Sequence, residues 1–80
     1  MPTVRLFAGA RAAADGVSTV SVAASNLDDL AQFLTDAYGE RLALVLKAAT
    51  FLVAGLACHD RQATIAAGAT VDVLPPFAGG

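Results

Sequence analysis

One amphipathic helix, flanked on both sides by strand-forming segments, is the feature that most constrains the fold of this chain. Over residues 26–38, apolar side chains recur at intervals of three and four and predict a helix with one buried face. The apolar positions are Leu27, Leu30, Ala31, Leu34, Ala37 and Tyr38. Ser25 is expected to cap the N-terminus of this helix, with Asp28 completing a capping box, and Gly39 is expected to end it.

Segments on either side of this helix alternate between polar and apolar residues, as β-strands do. The predicted strands are residues 3–7, 17–22, 50–54, 56–58 and 70–74. We also expect a single helical turn over residues 11–14, a weaker helix over 40–47, and Ile65 as an isolated core residue. Strands before and after one strong helix in an 80-residue chain predict one α+β domain over residues 1–74.

The composition indicates an apolar surface that a partner covers. Hydrophobic residues make up 56% of the chain, although 19 of them are alanine, and charged residues make up only 15%. A small domain with so few charges leaves apolar side chains exposed, and exposed apolar patches commonly mark sites of protein–protein contact.

Charge and hydropathy exclude several classes of function. The net charge is −2, and the five basic residues are scattered rather than gathered into the stripe that binding to a nucleic acid backbone requires. The longest uncharged apolar stretch, residues 48–58, is too short to span a bilayer, and Arg11 interrupts any secretory signal pattern. We therefore expect a cytoplasmic protein that binds neither nucleic acid nor membrane.

The sequence contains no catalytic constellation of its own. Its glycines form neither a dinucleotide-binding motif nor a phosphate loop, so any ATP chemistry is expected to come from a partner. Cys58, the single cysteine, is interpreted as a small core residue, and adjacent strand positions would direct Cys58 and His59 to opposite faces. One cysteine and one histidine are too few for a zinc site, so no bound metal or cofactor is expected.

The last six residues, PPFAGG, differ in character from the rest of the chain. Pro75 and Pro76 favour an extended exit from the last strand, because proline fixes its own φ and restricts the residue before it. Gly79 and Gly80 then end the chain without side chains. We expect residues 75–80 to form a flexible tail that reaches about 20 Å when extended.

Four motifs give the chain a resemblance to a known family. They are VRLFA at residues 4–8 with AR at 10–11, the helix from residue 26, AGATV at 67–71, and LPPFAGG at 74–80. Together they resemble the small subunit of molybdopterin synthase, a member of the MoaD/ThiS-type ubiquitin-like sulfur carriers. The resemblance implies a β-grasp fold, a mixed sheet of four to five strands against one main helix. Ala67 and Ala69 depart from the acidic residues usual in the family, and Gly55 from a common asparagine.

The resemblance also implies a function for the tail. In such carriers, an E1-like enzyme uses ATP to adenylate the C-terminal carboxylate, here that of Gly80, and a persulfide donor converts it to a thiocarboxylate. The bare Gly79 and Gly80 would let the tail enter narrow active sites. The chain would then donate sulfur for molybdopterin biosynthesis as a non-catalytic subunit, with the catalytic residues on a large partner subunit.

The expected partner interface combines apolar residues of the domain with the tail. It comprises Phe7, Leu56, Leu74, Pro75, Pro76, Phe77 and Ala78. Phe77 is the expected anchor in a partner groove, because it lies beyond the prolines, where the domain has little left to bury it.

Three other functions fit the same sequence. The chain could carry sulfur for thiazole or cysteine biosynthesis, or it could be a ubiquitin-like modifier that is joined through Gly80 to a lysine amine. It could also be a plain binding module. Adenylation precedes both sulfur transfer and conjugation, so the sequence leaves these alternatives open.

Overall fold

The computed structural model describes residues 1–75 and shows a five-stranded mixed sheet with its helices on one face. The elements in chain order are β1 (Thr3–Leu6), α1 (Ala8–Ala13), β2 (Thr19–Ser21), α2 (Leu27–Tyr38), α3 (Glu40–Ala48), β3 (Thr50–Val53), β4 (Leu56–Ala57) and β5 (Thr70–Leu74). The strand order is β2-β1-β5-β3-β4. The predicted α+β class and the β-grasp arrangement are both confirmed.

Two adjacent inner strands of the sheet come from opposite ends of the described chain. β1 and β5 run parallel, whereas β1–β2, β3–β5 and β3–β4 are antiparallel. Val4 and Leu6 of β1 pair with Val71 and Val73 of β5, and all four side chains are buried under the helices. Because side chains alternate along a strand, the residues between them lie on the opposite, outer face of the sheet.

Helix α2 forms as predicted, but its cap is different. The side chain of Asn26, not that of Ser25, accepts a hydrogen bond from the Asp29 amide, at 2.8 Å. Ser25 lies one residue too early, and its carbonyl accepts a bond from the Ile65 amide instead. The capping box with Asp28 is therefore absent, although the two acidic residues of the first turn still favour the helix dipole.

The other helices are longer than the sequence predicts, and four of the five strands are shorter, β3 and β4 by one residue each. The single turn expected over residues 11–14 is helix α1, which begins at Ala8 because the Ala10 amide bonds the Phe7 carbonyl. Helix α3 covers nine residues, since Leu42 and Leu46 are both buried. Strand β1 ends one residue early, and β2 keeps only the centre of the expected strand.

The connection from β4 to β5 is fixed at one end of α2. As predicted, Ile65 is buried in the core. Asn26 and Thr64 form an isolated β-bridge, and the Asp28 amide donates to the Arg61 carbonyl at 3.0 Å. Within residues 1–75, no helix is long and apolar enough to cross a membrane.

The β3–β4 hairpin contains a residue that is unsuited to its backbone conformation. Its two turn residues, Ala54 and Gly55, both have positive φ, 51° and 84°, as in a type I′ turn. Glycine adopts this region freely, and asparagine tolerates it, but alanine places its Cβ too close to the backbone there.

Replacing Ala54 by asparagine should therefore stabilise the domain by about 0.5–1 kcal/mol, because the left-handed region costs less for asparagine. Chemical denaturation of the two proteins measures the change. The matched control is Ala12→Asn in helix α1, where the same substitution should lower stability by roughly 0.5 kcal/mol. A destabilising effect at residue 54 would contradict this description of the turn.

Candidate functional site

An ion pair lies at the centre of the outer face of the sheet. Arg5 of β1 and Asp72 of β5 are register partners on this face. The guanidinium binds the carboxylate with two bonds, Nε to Oδ1 at 2.6 Å and Nη2 to Oδ2 at 2.9 Å. Such bidentate pairs are stronger and more directional than single contacts between charges. The pair fixes these two inner strands to each other on the face opposite the helices.

The two charges differ in exposure. The Asp72 side chain is 12% exposed and the Arg5 side chain 52% exposed. Hydrogen bonding from Arg5 holds the pKa of the Asp72 carboxyl below its usual range, against the opposing effect of burial. The same hydrogen bond with Asp72 raises the pKa of Arg5. Asp72 therefore stays ionised in the folded protein at neutral pH.

An apolar surface lies where the chain leaves the sheet. Phe7 continues β1 in extended conformation, and its ring lies 5.5 Å from the Arg5 guanidinium, which places it on the outer face. Leu74, the last residue of β5, is on the same face as Asp72, since alternate residues share a face. Phe7 is 37% exposed, and Leu74 and Pro75 are half-buried. We call Phe7, Leu74 and Pro75 the tail-base surface.

The structure does not bring Leu56 to the tail-base surface. Leu56 pairs with Val53, and Val53 pairs with Val71, whose side chain faces the helices. Leu56 therefore lies on the helix side of the sheet, in the outermost strand, and is 74% exposed. Pro76, Phe77, Ala78, Gly79 and Gly80 lie outside the described residues.

Cys58 packs against the core without being fully buried. Its Sγ lies 3.5 Å from the Asp60 carbonyl, and its amide bonds the Phe51 carbonyl at the end of β4. His59 is exposed. In the described part of the chain, no group of three or more histidine, cysteine or acidic residues is placed to hold a metal ion.

A shallow groove of about 250 Å³ runs between α2 and α3. Its lining consists of Ala31, Gln32, Thr35, Ala43, Leu46, Lys47 and Arg61. The Arg61 guanidinium donates to the Leu46 carbonyl at 2.9 Å and stacks 5.0 Å from the Phe51 ring. Arg61 thereby connects the loop after β4 to the end of α3 and to the core, a structural role.

Sequence reasoning missed the Arg5–Asp72 pair. Asp72 lies between two buried valines in β5, so a charge there indicates a strand with one open face. Arg5 likewise lies between two buried apolar residues of β1, Val4 and Leu6. These two patterns are visible in the sequence, but the parallel pairing that joins them is not.

The ion pair should make stability depend on pH in a defined direction. Because the folded pKa of Asp72 is lowered, the pair contributes fully above the unfolded value of about 3.9, and its contribution is lost as pH falls through the folded pKa. Asp72→Asn should therefore melt below the parent protein at neutral pH, and the difference in Tm should shrink on acidification. In the Arg5→Gln background, Asp72→Asn should no longer lower the Tm at neutral pH. A difference that is constant with pH would rule out this role.

Comparisons with known proteins give neighbours among solved structures only. No family model matches the chain, and no curated protein matches its sequence. Small archaeal modifier protein 1 (SAMP1) from Haloferax volcanii aligns over 99% of this chain and 98% of its own, with 25% identity and a TM-score of 0.77. SAMP1 from Methanosarcina acetivorans aligns over 99% and 95%, with 21% identity and a TM-score of 0.82.

A third neighbour belongs to a complex. The structure of subunits 1 and 2 of molybdopterin-converting factor from Helicobacter pylori contains a chain that aligns over 99% of this chain and 97% of its own, with 20% identity and a TM-score of 0.74. The neighbours match along the whole chain, as the sequence resemblance implies. The structural neighbours of this chain are MoaD/ThiS-type ubiquitin-like proteins, and it shares their β-grasp fold.

Proposed function

We propose that this protein is a ubiquitin-like sulfur carrier that donates sulfur from its C-terminus for molybdopterin biosynthesis. The observation that carries the proposal is the combination of fold and terminus. The chain has a β-grasp fold and matches MoaD/ThiS-type neighbours over 99% of its length, and residues 79 and 80, which follow the last strand, are both glycine.

The position of β5 supports a role for the terminus. β5 lies in the middle of the sheet, paired on both sides, so the residue from which the tail leaves is held firmly. The tail-base surface lies beside this point and is partly exposed. A partner that covers Phe7 and Leu74 would receive the tail in a fixed direction, with Pro76, Phe77 and Ala78 as further contacts.

The chemistry requires activation by a partner. The Gly80 carboxylate attacks the α-phosphorus of ATP on an E1-like enzyme and releases pyrophosphate, which gives an acyl adenylate. A persulfide sulfur displaces AMP to form an acyl disulfide. A second thiol then attacks the sulfur of the acyl disulfide that belongs to the donor protein. The donor is released as a disulfide with that thiol, and the transferred sulfur remains on Gly80 as the thiocarboxylate. The carrier supplies the terminus but no acid or base, so catalytic groups would lie on the partners.

The pathway is proposed from one neighbour. The Helicobacter pylori structure is a complex of two subunits of molybdopterin-converting factor, which supports a heteromeric partner for a chain of this fold. The low charge of the sequence and the exposed Phe7 agree with such an assembly. We propose a large catalytic subunit as the partner, and a cytoplasmic location for the reaction.

A modifier function is the second candidate, because two of the neighbours are small archaeal modifier proteins. In that case a lysine amine, rather than a persulfide, would attack the activated Gly80 carbonyl and form an isopeptide bond. Both functions need the same free terminus. They differ in the product, either a thiocarboxylate or a conjugate of higher mass.

Adding one alanine after Gly80 should abolish sulfur transfer, because the carbonyl to be activated is then part of a peptide bond. The measurement is molybdopterin formation in a reconstituted assay with the activating enzyme, sulfur donor and large subunit. The matched control carries the same alanine before Met1 and should retain activity. Both variants should melt like the parent. Activity of an extended protein whose added residue is still present by mass would contradict the proposal.

Cys58→Ala should retain sulfur loading, since the transferred sulfur belongs on the terminal carbonyl. Loss of packing at the half-buried site should lower stability, on the order of 1 kcal/mol. Loading is followed by intact mass, and stability by thermal unfolding. A variant that folds but cannot be loaded would make Cys58 a participant in the chemistry.

A further inference from the structure

Strand β2 forms an open edge of the sheet, away from the tail-base surface. It pairs with β1 alone. The Leu6 amide donates to the Ser18 carbonyl at 2.9 Å, and the Val22 amide donates to the Pro2 carbonyl at 3.0 Å. Peptide groups alternate in direction along an antiparallel strand. These two bonds therefore show that Ser18 and Val22, at the two ends of β2, direct their peptide groups toward β1.

The intervening residues, Thr19 and Ser21, direct their peptide groups outward. Their register partners are Arg5 and Thr3, in the positions that do not exchange hydrogen bonds. Neither residue has a backbone hydrogen bond to any turn or loop in the described part of the chain. The edge thus presents two N–H donors and two C=O acceptors at the spacing that an added strand would need.

Apart from its length of three residues, this edge lacks the features that usually prevent strand addition. Residues 16–27 contain no charged residue and no proline, and the β1–β2 register is continuous without a bulge. The other edge is different, because β4 has only two residues and is soon followed by Asp60 and Arg61. Of the two edges, β2 is the better template for another strand.

Helix α2 provides the wall beside this edge. Arg61 bonds α3 and stacks on Phe51 of β3, so the flank of α2 that faces the groove lies toward β3. In the strand order, β2 and β3 lie on opposite sides of β1 and β5, so we infer that the opposite flank of α2 is the one nearer β2. Phe33 is on that flank, 43% exposed, and follows Asp29 and precedes Asp36 at helical spacing. An exposed aromatic, with the carboxylate of Asp29 one helical turn before it, is therefore on the flank of α2 nearer the open edge.

The charge on α2 indicates the chemistry of the occupant. The helix carries three aspartates and no basic residue. Asp28 accepts a hydrogen bond from Gln62 in the loop after β4, and Asp36 accepts one from Gln32, which leaves Asp29 as the carboxylate beside Phe33. Val20, half-buried, is on the same face of the sheet as α2, since it pairs with the buried Val4. A strand along β2 would therefore find apolar contacts from Val20 and Phe33, with the carboxylate of Asp29 beyond them.

We propose that the β2 edge binds an extended segment of a partner protein that carries β-branched apolar residues flanked by lysine or arginine. The segment adds to the sheet as a sixth strand, through the peptide groups of Thr19 and Ser21. Its apolar side chains lie on the α2 side, against Val20 and Phe33. β2 is separated from β5 by β1, so this edge and the tail can be engaged at the same time.

A second copy of the chain fits the edge less well. Two β2 strands could pair around Val20, but the pairing would bring together two copies of α2, each of which carries aspartates and no basic residue. Residues 16–27 also offer no basic side chain to meet the aspartates of α2. Self-association of the chain through β2 would therefore contradict the proposal.

The test uses the full chain labelled with ¹⁵N and the peptide acetyl-Lys-Ile-Thr-Val-Thr-Ile-Lys-amide. Saturable shifts should appear at the amides of residues 18–22, with slower hydrogen exchange at Thr19 and Ser21. The same peptide with glutamate for both lysines should bind more weakly. Ser21→Pro removes one outward donor and leaves the β1 hydrogen bonds in place, and it should weaken binding roughly tenfold.

Two side-chain variants keep the test independent of any backbone effect of proline. Phe33→Ser should weaken peptide binding, whereas Leu44→Ser, which removes an exposed apolar side chain from α3, should bind like the parent. Equal affinity for both peptides, shifts confined to the tail-base surface, or no saturable binding would overturn the proposal. Concentration-dependent shifts at Thr19 and Ser21 without peptide would also overturn it, since the occupant would then be a second copy.

Discussion

The parallel pairing of β1 with β5 is the interaction on which the rest of the structure depends. It joins strands that are more than sixty residues apart, and such long-range pairing must offset the entropy of closing the intervening chain. On the helix side, buried valine and leucine side chains from both strands form the centre of the core. On the outer side, Arg5 and Asp72 bind each other in a bidentate pair. One register therefore sets the core, the ion pair and the position from which the tail leaves the domain.

Much of this fold could be predicted from the sequence because its signals are local. The helical spacing over residues 26–38 and the alternation in the strands were sufficient to predict α2, the five strands and the buried Ile65. The cap of α2 was predicted wrongly because Ser25 and Asn26 are both good capping residues, and only the bridge to residues 64–65 decides between them. The Arg5–Asp72 pair and the separation of Leu56 from Phe7 depend on sheet order and register, which no local pattern specifies.

The sheet separates two surfaces of different character. The tail-base surface is apolar, lies on the outer face and is next to the inner strands of the sheet. The β2 edge is uncharged, offers backbone groups and is bordered by the acidic α2. The proposed carrier function would require more than one partner, because activation, sulfur loading and delivery would take place on different proteins. If the tail enters the active site of each partner while the β2 edge docks separately, the edge would distinguish one partner from another although the tail is the same in every complex.

The most direct test of the proposed function is the intact mass of the native C-terminus. The untagged chain would be purified from cells in which molybdopterin synthesis is active and analysed without exposure to oxidants. We predict a species in which one terminal oxygen is replaced by sulfur, with the corresponding increase in mass. Fragmentation should localise this increase to Gly80, and deletion of Gly80 should abolish it. A terminus found only as the carboxylate, or only joined to lysine residues of other proteins, would contradict the sulfur-carrier function.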